Sequence, residues 1–213
     1  MKTIEEKLNS GREYRDMQLS VFENETEEQK EMVVEGYATT FDEPYLLIND
    51  KEYSVYETIS KNAFDSCNMD DVVLQYDHEG RVFARTKNGS MQLRVEPDRG
   101  LFVVANLGGT EIGRQLYEEI KNGYSDKMSF GFKVAEDERK VVEDENGHIT
   151  IYRTITKIER LFDVSVVSIP ANNNTDIHVR NYFNGVIEAA KTERFLKERA
   201  KKALLLKIKL LEV

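Results

Sequence analysis

Turn-forming sequences interrupt residues 17–170 so often that most of this stretch has room only for short strands. Asp77-His78-Glu79-Gly80, Lys87-Asn88-Gly89, Pro97-Asp98-Arg99-Gly100 and Glu143-Asp144-Glu145-Asn146-Gly147 each carry the Gly, Asn, Asp or Pro that a tight turn requires. The runs between them are rich in β-branched and aromatic residues. Met17, Leu19 and Val21 alternate with polar residues at the period of a half-buried strand. Strands are expected over 17–23, 32–41, 72–76, 81–85, 90–96, 101–107, 128–136, 149–160 and 161–169, and a polar stretch at 24–31 closes the first hairpin. Residues 42–54 read as a loop around Pro44 with room for one short strand.

Helical patterns are few. Ser60 suits the N-cap of a short helix holding Ala63 and Phe64. Residues 110–122 give the clearest helix: Thr110 can cap it, Ile112, Leu116 and Ile120 share one face, and Gly123 stops it. In the segment 186–213, Leu196, Ala200, Leu204, Ile208 and Leu211 lie near one stripe that needs a partner surface. The expected fold class is mainly β with helices (α+β), a closed or nearly closed barrel with helices around it and a C-terminal helical tail. The expected domains are a flexible N-terminal arm over 1–16, a folded domain over 17–182 and a basic amphipathic helical tail over 183–213.

Charge narrows the function classes. The net charge of the 213 residues is -9. Residues 1–80 carry 20 acidic against 7 basic side chains, whereas residues 191–213 carry 3 against 8. An acidic front and a near-neutral middle argue against nucleic acid as the main partner. The lone Cys67 excludes an intramolecular disulfide and fits a reducing compartment. No apolar run reaches the length of a membrane span, and the N-terminus lacks the apolar core of a secretory signal. The sequence reads as a soluble intracellular protein with no membrane partner.

The chemistry-bearing residues are equally few. His78, His148 and His178 are far apart and form no ligand-spaced pair with each other or with Cys67, so neither a metal site nor a cofactor is expected. Cys67 is a possible nucleophile but has no suggestive neighbours. In a strand, Met128, Phe130 and Phe132 would face one side, and Ser129 and Gly131 the other. Gly131 would let a substrate backbone come close to the Ser129 hydroxyl. A strand with a small outer face fits the same residues equally well. His78, on a turn after a strand, could stand at a barrel rim or simply be exposed; His148, beside a hairpin tip, reads as exposed. Asp163 enters the apolar run Val164 to Ile169, where a carboxylate needs a partner such as a histidine N–H. Ser129, His78 and Asp163 could therefore form a nucleophile–base–acid set, which spacing permits but does not require.

Several segments, in this order, resemble one family. They are Glu35-Gly36-Tyr37-Ala38 with Phe41, Ala63-Phe64, the strand into His78, Asn88-Gly89, Arg99-Gly100-Leu101, Ile120 to Phe132 (IKNGYSDKMSFGF), and Leu161 to Asn172 (LFDVSVVSIPAN) with Thr175. Together they resemble the prohead maturation proteases of tailed phages of the Hong Kong ninety-seven type, which are distantly similar to the herpesvirus assemblins. The resemblance implies an assemblin-like closed antiparallel β-barrel surrounded by short helices. It also implies a serine endopeptidase with nucleophile Ser129, base His78 and third member Asp163, Glu159 being a stand-in. Backbone N–H groups near Ala171 and Asn172 would form the oxyanion hole; Pro170 has no N–H to give. The implied partners are the major capsid protein and the scaffolding protein, cut along with the enzyme itself. The implied place is the host cytoplasm, packaged inside the procapsid, and a homodimer follows by analogy. Three other readings fit parts of the sequence: an inactive assembly module on the same fold, an oligonucleotide-binding barrel, and a cysteine hydrolase using Cys67.

Overall fold

The computed structural model describes residues 10–18 and 32–167, together with helical positions 186–189, 191–193, 195–196 and 199–202. In chain order the elements are β1 (Glu13–Gln18), β2 (Val33–Thr40), β3 (Tyr45–Asn49), β4 (Tyr53–Ile59), β5 (Val73–Tyr76), β6 (Glu79–Arg85), β7 (Met91–Glu96), β8 (Gly100–Asn106), α1 (Glu111–Lys121), β9 (Lys127–Glu143) and β10 (Ile149–Val167). The arm expected over 1–16 therefore gives its last four residues to β1. They pair with β9, Glu13 opposite Phe132 through Asp16 opposite Ser129.

Among the described residues the strands build two sheets rather than a closed barrel. One runs β1-β9-β10-β4-β3, with β5 also on β10 and β6 on β5; the other is β2-β8-β7. The large sheet divides at β10. β10 is bordered by β9 along its length, and its other edge is shared by two parallel partners, β4 on its first half and β5 on its second. The sheet forks there, and because both of these partners run parallel to β10 it is mixed rather than purely antiparallel. Val34, Ala38, Leu101, Val103 and Ala105 of the small sheet pack on Leu74, Met128, Phe130, Phe132, Val164 and Val166 of the large one, and this is the main core. Stacked rings of Phe130 and Phe132 lie inside it, both fully buried.

Local chemistry accounts for the element ends. The Thr110 hydroxyl accepts the Gly113 N–H at 3.0 Å and caps α1. Past the helix, Gly123 takes φ 74° and its N–H reaches the Ile120 carbonyl. Leu116 and Ile120 are buried, as the stripe requires. The helix expected after Ser60 is instead a run of four-residue turns, Ala63 N–H to the Ser60 carbonyl, Asp65 N–H to Asn62 and Cys67 N–H to Phe64. Such bonds hold Ala63 and Phe64 in the core without propagating a helix. The acidic segment 137–148 belongs mostly to β9, which runs on to Glu143 before the Asn146-Gly147 tip. Of the tail, Ile187 packs with Ile48, Tyr53, Val55, Ile149 and Ile151, while Phe195 and Leu196 are exposed; apart from the helical positions 186–189, 191–193, 195–196 and 199–202, the segment 183–213 lies outside the described residues.

A buried ion network ties β1 to β4 and β10. Glu57, with no exposed surface, accepts from Arg15 (2.5 and 2.9 Å) and from Arg153 (2.9 Å). Glu13 bridges the same two arginines, Asp137 accepts from Arg153 at 2.6 Å, and the Tyr45 hydroxyl donates to Glu57. Removing one charge leaves its partners buried and unbalanced. Glu57→Gln is expected to lower unfolding stability by about 3 kcal/mol or more, read from urea midpoints; a loss within error would show that the charges balance without it. Burial pushes the Glu13 carboxyl up, but Arg15 and Arg153 outweigh it and hold it at about 2. Its contribution is complete above the ordinary carboxylate range and is lost as pH falls through about 2. Stability should therefore decline between about pH 4.5 and pH 2, and the Glu13→Gln variant should show a shallower decline over that range.

Candidate active site

The site lies on the face of the large sheet opposite the core. Two register rows define it. Tyr14, Gly131, Asp163 and Val73 align across β1, β9, β10 and β5, and Ser129, Ser165 and Gln75 align in the next row across β9, β10 and β5. Met128, Phe130 and Phe132 fill the core from the other side of β9.

A bulge in β10 puts Asp163 on this face. Leu161 pairs with Phe132 and Asp163 with Gly131, so Phe162 is the extra residue between them. In an unbroken strand Leu161 and Asp163 would share a face. The bulge sends Leu161 into the core, where it is fully buried, and turns Asp163 toward Ser129's side.

His78 arrives from the β5–β6 hairpin. Tyr76 pairs with Glu79, leaving Asp77 and His78 as a two-residue turn, both with positive φ (48° and 58°). Two-residue turns of this hand favour Asn-Gly, and each side-chain-bearing residue in this region costs about 1–2 kcal/mol. The turn is held by the Asp77 N–H on the Val166 carbonyl (2.9 Å) and by Gln75 Nε2 on the Gly80 carbonyl (3.4 Å).

The three side chains meet in a hydrogen-bonded line. His78 Nδ1 lies 2.5 Å from Asp163 Oδ1, and His78 Nε2 lies 2.7 Å from Ser129 Oγ. Ser129 and Asp163 are at most 1% exposed and His78 is 8% exposed, so the line is screened from bulk water. A carboxylate only accepts, so Nδ1 carries the ring proton and Nε2 is left to accept from the Ser129 hydroxyl. Asp163 accepts twice more, from Ser165 Oγ–H at 3.1 Å and from Arg12 Nη1–H at 3.2 Å. The Tyr14 ring packs on the His78 ring with centroids 4.1 Å apart. Burial, then the charge of Asp163, pushes the Tyr14 phenol up to about 12, so it stays neutral.

Gly131 does not open space for a substrate backbone. A Cβ there would lie 2.5 Å from Asp163 Oδ2 and 2.7 Å from the Tyr14 ring, so the glycine makes room for the acid and the tyrosine. Glu159 points away, 2.8 Å from Lys133 Nζ at the surface. Cys67 is half-buried and its thiol is pushed up to about 11 by burial, which leaves little thiolate at neutral pH. His148 is half-buried rather than exposed: Nε2 lies 3.0 Å from Ser54 Oγ and Nδ1 3.3 Å from the Lys51 carbonyl. This second serine–histidine pair has a neutral carbonyl where the first has a carboxylate. His178, Ala171 and Asn172 lie outside the described residues. Among the described residues no cluster of three His, Cys, Asp or Glu could hold a metal ion, and no helix is long and apolar enough to cross a membrane.

Sequence reasoning missed Arg12, Tyr14, Gln75 and Ser165. Ser165 was recoverable, since it sits two residues from Asp163 on the same strand face. Arg12 and Tyr14 carried no signal, because nothing local marks their stretch as a strand.

No curated protein matches the chain. Among solved structures it is similar to the capsid assembly protease of bacteriophage T4, at 9% identity and a TM-score of 0.43, covering 75% of this chain and 98% of that one. A family model described as caudovirus prohead serine protease matches residues 18–188. That span takes in β2 to β10 with all of His78, Ser129 and Asp163, and the chain belongs to the caudovirus prohead serine protease family.

Proposed function

We propose that this protein is a serine endopeptidase of procapsid maturation in which Ser129 is the nucleophile, His78 the general base and Asp163 the residue that orients and balances the imidazole. The observation that carries this reading is the buried line Asp163–His78–Ser129, at 2.5 and 2.7 Å. Nε2 takes the hydroxyl proton as Oγ attacks a peptide carbonyl, forming the tetrahedral adduct. The imidazolium then protonates the leaving amine, and water releases the acyl group by the same steps in reverse. Asp163 keeps the proton on Nδ1 throughout. Backbone N–H groups at Ala171 and Asn172 are the proposed oxyanion donors. One such donor is worth about 3 kcal/mol of barrier.

The proposed substrates are the scaffolding protein or the scaffold-like segment of the major capsid protein, and the enzyme itself, inside the procapsid. Membership of the prohead protease family supports this choice. The competing reading, an inactive assembly module on the same fold, predicts that nothing depends on the serine. An organophosphonate reagent separates them. The expected result, in particles assembled by co-expression with capsid and scaffold proteins, is one adduct, mapped by peptide mass to Ser129, with trimming of capsid and scaffold chains stopped. Trimming that continues with Ser129 fully labelled would overturn the serine mechanism.

A further inference from the structure

β1 enters the site from outside the core of the family match, which begins at residue 18, where this strand ends. Yet two side chains of the segment leading through it touch the Asp163–His78 pair. Arg12 Nη1 donates to Asp163 Oδ2, the oxygen that His78 does not use. The Arg12 guanidinium also lies over the Phe162 ring, 3.7 Å from its centroid, so it is fixed between the bulge residue and the acid. Tyr14, two residues on, covers the His78 ring. The neighbouring residues Glu13 and Arg15 lock the strand into the buried ion network with Glu57 and Arg153. Gly131 leaves the space that Tyr14 and Asp163 occupy.

We propose that Arg12 and Tyr14 are positioning residues of the active site: Arg12 fixes the rotation of the Asp163 carboxylate and tempers its charge, and Tyr14 holds the His78 ring against it. This inference rests on the serine-protease reading above. A carboxylate held at one oxygen can swing; held at both, it presents Oδ1 to Nδ1 in one orientation. Arg12 also sets the electrostatics of the base. Among the described residues, the titratable and charged groups named beside His78 are Asp163 from β10, Tyr14 from β1 with Arg12 just before it, and Asp77 and Glu79 of its own hairpin. Arg12 is the cation of that set. Removing it leaves the Asp163 charge less balanced, which favours imidazolium. The base must be neutral to act, so its working range moves to higher pH.

Two measurements test this independently. The first follows the His78 imidazole by NMR titration in the full chain carrying Ser129→Ala, with and without Arg12→Gln. The midpoint is expected to rise by about one pH unit with Arg12→Gln and to return with Arg12→Lys. A midpoint unchanged by Arg12→Gln overturns the electrostatic role of Arg12. The second is steady-state cleavage by variants with Ser129 intact. Arg12→Gln and Tyr14→Ala are expected to lower kcat about tenfold while KM stays within about twofold, and Tyr14→Phe to keep wild-type kcat. Wild-type kcat in both Arg12→Gln and Tyr14→Ala overturns the positioning role. If Ser129 is not the nucleophile, cleavage fails to depend on it in every variant, while the His78 titration still reports on Arg12, so the two failures are distinct.

Discussion

Ser129→Ala is expected to lower kcat by about 10⁶-fold, to the level that binding and oxyanion contacts alone sustain. The reason is specific to the geometry. Ser129 is fully buried on β9, with its hydroxyl 2.7 Å from His78 Nε2, the nitrogen that must take its proton. Cys67 is a protonated thiol at neutral pH. Ser54 pairs with His148, whose Nδ1 faces the Lys51 carbonyl rather than a carboxylate. The variant should fold as wild type does, because it loses one buried hydrogen bond and leaves the His78–Asp163 contact intact. Intact mass of co-expressed capsid and scaffold chains gives the answer. Full trimming by the variant would remove Ser129 from the mechanism and favour the assembly-module reading.

Asp163→Asn is expected to cost about 10⁴-fold in kcat with little change in fold. An amide offers both a donor and an acceptor, and here its orientation is dictated. Arg12 donates to the outer oxygen position, so the amide oxygen settles there and the NH₂ turns toward His78 Nδ1. Nδ1 must then accept, and the ring proton moves to Nε2, where it blocks the transfer from Ser129. The matching measurement is kcat for the Asn variant beside a circular dichroism melt. A rate within about tenfold of wild type, with the fold retained, would show that Asp163 does not set the tautomer.

Much of the fold was written in local sequence. Turn chemistry marked the β5–β6, β7–β8 and β9–β10 connections, and alternation at 128–132 separated a core face from a face bearing Ser129. Thr110, the Ile112-Leu116-Ile120 stripe and Gly123 delimited α1 because caps and periodicity act within one turn of chain. What was not legible is of a different kind. The sheet forks at β10 because two parallel strands share one edge, and no short-range pattern encodes which strands share an edge. The Glu57 network draws its members from residues 13 to 153, and none of them has an unusual sequence neighbourhood.

The site divides along the same line. Residue types allowed a set of Ser129, His78 and Asp163 without requiring it, and the family resemblance was what assigned the three roles. Their meeting was decided in three dimensions. The bulge at Phe162 reverses the face of Asp163, the positive-φ turn aims His78, and β1 brings Arg12 and Tyr14 to the pair from a stretch that reads as an open arm. Sequence fixes what a residue can donate, accept or bury within a turn of its neighbours. Where its side chain ends up depends on strand register, and register is settled only when distant strands compete for the same edge and the same core.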